Sequence, residues 1–144
     1  MSAASPRRTL VVANRTAATP LLLEEVRRRA RERPTAFALL VPVTGSRREA
    51  DWTLERAVEL LAKAAGGPVG GLVGTEDPFE SVRGAIQNGA YDDVLISTLP
   101  RRVSEWLRRD LPTRVRRLGL PVTVITPPPD EARKGVAVTP GGPL

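Results

Sequence analysis

Hydrophobic positions along this chain follow two rhythms, short unbroken runs and stripes at helical spacing. Thr9-Leu10-Val11-Val12-Ala13 is an unbroken run, the pattern of a strand covered on both faces in a parallel sheet. After a turn, Thr19-Pro20 predicts an N-cap and a first-turn proline. Leu22, Leu23, Val26 and Ala30 then fall on one stripe opposite Arg27, Arg28, Arg31 and Arg33, and Pro34 stops the helix. A second strand is expected over Ala36 to Val43, followed by a polar loop from Gly45 to Glu49. Leu54, Ala57, Val58, Leu61, Ala62 and Ala65 recur at helical spacing, with Asp51 or Thr53 as the expected cap and Gly66-Gly67 as the stop. Val69 to Val73 predicts a glycine-diluted third strand. Pro78 opens a helix with the stripe Phe79, Val82, Ala85 and Ile86, ended by Asn88-Gly89, and Val94-Leu95-Ile96 is the fourth strand. Residues 101–118 read as helix broken at Leu111-Pro112, with Asp110 capping the second piece and Gly119 closing it. Val122-Thr123-Val124-Ile125 is the fifth strand.

Strands alternating with helices through short connections select the α/β class: a single-domain, doubly wound, five-stranded parallel sheet with helices on both faces, spanning residues 8–126. Right-handed crossovers favour the spatial order 3-2-1-4-5. Residues 127–144, with three consecutive prolines and Gly141-Gly142-Pro143, have the composition of a flexible tail. In such a sheet the ligand crevice lies outside the carboxyl ends of the strands where the winding reverses, between strands one and four. Asn14-Arg15-Thr16 and Ser97-Thr98-Leu99-Pro100-Arg101-Arg102 flank that point.

Composition narrows the chemistry. The 144 residues include no cysteine and no histidine, which removes disulfides, thiol nucleophiles, imidazole bases and the ordinary zinc sites. No apolar stretch approaches the roughly 18 residues of a membrane helix, and no signal peptide is visible, so a soluble, cytoplasmic protein without a membrane partner is expected. The net charge of +6 is uneven: residues 1–35 carry 8 Arg against 3 Glu, and residues 97–119 carry 7 Arg against 2 acids. An anionic partner would explain this. So would solvated helix faces under a genomic codon bias, since 20 of the 22 basic residues are Arg. Only five residues are aromatic and no recognition-helix motif is present, so nucleic-acid or polyphosphate binding through the Arg-rich segments is the weaker alternative.

The strand-end motifs resemble those of the universal stress protein family: Val12-Ala13-Asn14-Arg15-Thr16, Val73-Gly74-Thr75-Glu76-Asp77-Pro78, Tyr91-Asp92-Asp93-Val94-Leu95-Ile96-Ser97-Thr98 and Leu120-Pro121-Val122-Thr123-Val124-Ile125, in the family's order over residues 8–126. The resemblance implies an adenine-nucleotide-binding α/β fold, a stress-response or regulatory role, and a homodimer through the edge strand Val122, Thr123, Val124 and Ile125. It also implies a phosphate loop, Gly-x-x-Gly, nine residues, then Gly and Ser or Thr. Here Ser97, Pro100 and Asp110 occupy the three glycine positions and Leu111 the last. Glycines serve such loops because backbone N–H groups must approach phosphate oxygens closely, and proline has no N–H. A carboxylate about 4 Å from a phosphate costs roughly 4 kcal/mol at an effective dielectric near 20. The family's first-strand Asp is the neutral Asn14.

These departures predict a binding module without robust ATP binding, no catalytic residue, no metal site and no required cofactor. Weak hydrolysis of ATP at Asn14, Ser97 and Thr98, or ATP or AMP held with Mg²⁺ by arginines in place of the glycines, is the alternative. The candidate residues for a small anionic ligand are Asn14, Arg15, Thr16, Val43, Gly74, Ser97, Thr98, Arg101, Arg102, Arg108, Arg109 and Asp110. Gly66 to Gly71 lacks the Lys-Ser/Thr of a P-loop and reads as a turn, and Asp92-Asp93 reads as a solvated loop at the sheet end opposite the crevice. Trp106 shares a stripe with Val103, so packing rather than base stacking is expected of it; Trp52 carries no such signal.

Overall fold

The computed structural model describes residues 6–99 and 104–128. Its elements run β1 (Arg7–Val12), α1 (Pro20–Glu32), β2 (Thr35–Val41), α2 (Arg47–Ala65), β3 (Val69–Val73), α3 (Pro78–Asn88), β4 (Asp93–Ser97), α4 (Glu105–Arg108), α5 (Leu111–Arg116) and β5 (Val122–Ile125). All strand pairs are parallel and the sheet order is β3-β2-β1-β4-β5, as the connection rules require.

The unbroken apolar runs are explained by a core on each face. Val11, Leu39, Val41 and Leu95 point to one side, packing with Leu22 and Val26 of α1 and Ala57 and Leu61 of α2. Leu10, Val12, Leu40, Val94 and Ile96 point to the other, packing with Val82 of α3, Trp106 of α4, and Leu111 and Val115 of α5. Successive side chains of β1 and β4 therefore enter opposite cores, and all five residues of β4 are buried. Burying each such Leu, Ile or Val is worth roughly 1.5–3 kcal/mol.

Two expectations are corrected. The second helix begins at Arg47, not near Asp51: Ser46 is its N-cap and accepts from the Glu49 backbone N–H at 3.0 Å, so the expected polar loop supplies the helix's first turn. Gly66, at φ +76, ends it in the left-handed conformation that favours glycine. Of the pair expected in a solvated loop, Asp92 is exposed ahead of the strand but Asp93 is not. Asp93 is the first residue of β4 and 4% exposed; it accepts from the Thr9 hydroxyl at 2.6 Å and pairs with Arg29 at 2.9 Å and Arg7 at 3.3 Å. Asp92 accepts from the Arg8 backbone N–H at 2.8 Å. The parallel register that sets Thr9 opposite Asp93, and Arg29 arriving from α1, provide the compensation that a buried carboxylate needs.

Pro127 and Pro128 follow β5 without regular structure, and the rest of the expected tail lies outside the described residues. No helix of the described residues is long and apolar enough to cross a membrane.

Candidate functional site

Where β1 ends, the chain turns through Asn14-Arg15-Thr16 into α1. The Asn14 carbonyl accepts from Ala17 N at 3.1 Å and the Thr16 carbonyl from Thr19 N at 3.3 Å. Thr19 stands at the N-cap position but does not cap, because its hydroxyl donates backward to Thr16 O at 3.1 Å. Asn14 Nδ2 donates across the sheet end to Pro42 O at 2.7 Å and Thr44 Oγ1 at 3.0 Å, tying the exit of β1 to the exit of β2.

Where β4 ends, Ser97 Oγ donates to Thr16 Oγ1 at 2.7 Å in a fully buried contact. Thr98 and Ser104 join hydroxyls at 2.6 Å, and Ser104 also caps α4 by accepting from Leu107 N at 3.1 Å. Between these two exits lies a cleft of about 270 Å³ lined by Asn14, Arg15, Thr16, Thr44, Ser97, Thr98, Leu99, Ser104, Glu105 and Trp106. It sits at the reversal of winding, where an open α/β sheet presents its crevice. Its polar groups are overwhelmingly hydroxyls and one amide. Arg15 is exposed and makes no ion pair with a described residue, while Glu105 faces Arg108 at 3.6 Å and Arg109 at 3.7 Å. Among the described residues no group of His, Cys, Asp or Glu is arranged to hold a metal ion.

The structure thus brings together Asn14, Arg15, Thr16, Ser97 and Thr98. Arg101 and Arg102 lie outside the described residues. Val43 is buried with its N–H donating to Thr75 O at 2.9 Å, and is not part of the lining. Gly74 lines a separate groove of about 390 Å³ beside β3 and α3, and its glycine has a packing cause: a Cβ there would stand 2.3 Å from Ser81 Oγ. Arg108 and Arg109 are exposed and held by Glu105. Asp110 is exposed at φ 56, a left-handed conformation, and its carboxylate makes no capping bond to α5. Thr44, Ser104 and Trp106 were missing from the sequence-derived set. Ser104 was findable as a cap two residues before Trp106, whereas Thr44 depends on the β1–β2 contact.

No protein-family model matches the chain, and no curated protein does. Solved structures do. The chain is similar to a universal stress protein in complex with cAMP, at 16% identity over 85% of this chain and 98% of that one, with a TM-score of 0.55. It is also similar to the universal stress protein from Archaeoglobus fulgidus, at 21% identity over 84% and 95% with a TM-score of 0.58. The same protein in complex with dAMP gives 20%, 85%, 98% and 0.55. The fold is that of the universal stress proteins. At the fourth-strand exit of this chain Ser97 is buried in a hydroxyl pair with Thr16, and Asp110 and Leu111 open a separate short helix. Pro100, the second of the three positions where the resemblance implies glycine, lies outside the described residues.

Proposed function

We propose that the chain is a cytoplasmic, regulatory binding module that takes a small adenine nucleotide with a single phosphate in the cleft between the β1 and β4 exits and does not retain ATP. The observation that carries this reading is the cleft itself, at the reversal point of the sheet, with six hydroxyl or amide side chains and Arg15 as its one unpaired cation among the described residues. Two of the similar structures hold cAMP and dAMP, each with one phosphate, which agrees in size and charge with one arginine. A triphosphate would bring additional negative charge without the glycine N–H groups that answer it elsewhere.

The lining supports binding rather than turnover: among the described residues it contains no His or Cys, and its one carboxylate is exposed and paired with two arginines. A homodimer through β5 accompanies this reading, because among the described residues β5 is an edge strand that pairs with β4 alone and offers its other side to a second copy. Sedimentation that shows a concentration-independent monomer removes the dimer.

Isothermal titration with AMP, cAMP, dAMP and ATP, with and without Mg²⁺, tests the ligand reading. Saturable binding of a monophosphate, unimproved by Mg²⁺ or by further phosphates, is expected. Binding of Mg²⁺-ATP more than tenfold tighter than AMP overturns it.

A further inference from the structure

Trp106 divides its side chain between two environments. The residue is 9% exposed and belongs to the core cluster of α3, α5 and the sheet, so its ring is committed to packing and offers no open face for stacking. Its indole N–H, however, donates to no acceptor among the described residues. Among the described residues no buried side-chain nitrogen or oxygen lacks a partner, so this N–H is not a sealed orphan but opens onto accessible space. The space that Trp106 lines is the cleft.

Asn14, also in the lining, is held in one orientation. Its Nδ2 faces Pro42 O, which can only accept, so the amide cannot be flipped and Oδ1 remains a free acceptor. Arg15, the neighbour of Asn14, is the one cation of the cleft lining, whereas Trp106 comes from α4 on the other wall. A ligand phosphate is drawn to Arg15 on the β1 side, so the part of the ligand that meets Trp106 is uncharged.

Resting on the nucleotide reading above, we propose that Trp106 is a specificity-determining residue: its indole N–H donates to an uncharged acceptor atom of the ligand's nucleoside part. Indole nitrogen only donates, so a ligand without an acceptor at that point leaves the N–H unpaired once water is expelled.

The test is calorimetric titration of adenosine and AMP into the wild type, Trp106→Phe and Arg15→Gln. Phenylalanine keeps an aromatic ring and removes the donor. Trp106→Phe weakens adenosine and AMP alike, by about five- to tenfold, the loss expected for one neutral hydrogen bond. Arg15→Gln weakens AMP and leaves adenosine unchanged. Because the smaller ring also alters packing, a second measurement uses Trp52→Phe, which leaves Trp106 as the sole tryptophan; adenosine shifts its emission to the red. Unchanged affinity of Trp106→Phe for both ligands, a loss confined to AMP, or Trp106 emission indifferent to adenosine overturns the assignment while the nucleotide reading stands. A wild type that binds neither compound overturns both.

Discussion

At the end of the sheet where the strands begin, a carboxylate is buried and fully answered: Asp93 has Thr9, Arg29 and Arg7 around it, and Arg29 in turn holds Glu25 at 2.7 Å and Thr123 at 3.1 Å. At the end where the strands finish, the polar groups are hydroxyls and an amide, the one cation of the lining is exposed, and a cleft stays open. Both ends carry arginine, but the buried guanidinium at the first end is enclosed by carboxylates, whereas the one lining the cleft has none beside it among the described residues. A guanidinium enclosed with carboxylates contributes to folding, whereas one standing alone beside a cleft is available to a ligand. Half of the arginines of residues 1–35 are ion-paired, Arg7, Arg27, Arg28 and Arg29, and of the other four Arg15 is the one that lines the cleft.

The sharpest way to break this contrast is Asp93→Ala, which strands Arg29, Arg7 and the Thr9 hydroxyl in a nearly closed site. A loss of about 3–5 kcal/mol in urea unfolding is expected, with ligand affinity of the folded fraction unchanged. Equal stability to wild type would show that the cluster is ornamental. Next is Asn14→Asp at the opposite end. It restores the acid of the family pattern, yet a carboxylate cannot donate to Pro42 O, and it faces that carbonyl instead. Thermal unfolding should register a loss of about 1–3 kcal/mol, and Mg²⁺-ATP binding should not appear.

Ser97→Ala removes the donor to Thr16 Oγ1 beneath the cleft. A loss of about 1 kcal/mol together with weaker AMP binding is expected, and a change in stability alone would separate the cleft floor from the ligand. The smallest effect is at Glu25. Burial works to raise its carboxyl, but hydrogen bonds and charge from Arg28 and Arg29 outweigh it and hold the group below its usual 4.5. A depressed folded value means stability that is present above the unfolded value and lost as pH falls through the folded one. The gap between wild type and Glu25→Gln, under about 1 kcal/mol near neutrality, should therefore close as pH drops below 4.5 in acid unfolding curves.

The same contrast explains what was legible in the sequence. β3, α3 and β5 begin and end at the residues their Gly, Pro and Asn punctuation marks, because those signals are local. Ser46 and Glu49, three residues apart, carried a start signal for α2 that the later carboxylate and threonine obscured. The reversal cleft followed from topology alone. Asp93 did not, because its partners stand 64 and 84 residues away and its polarity looks like exposure until the register places Thr9 against it. The packing half of Trp106 was visible in its stripe, while the freedom of its N–H depends on what its neighbours fail to offer.

The strut from Asn14 to Pro42 and Thr44 has a kinetic corollary. One jaw of the cleft is set when the chain folds, so an arriving solute finds that surface ready and has no loop to organise there. Association should then be governed by diffusion and orientation, and differences among competing solutes should emerge in how long each one stays.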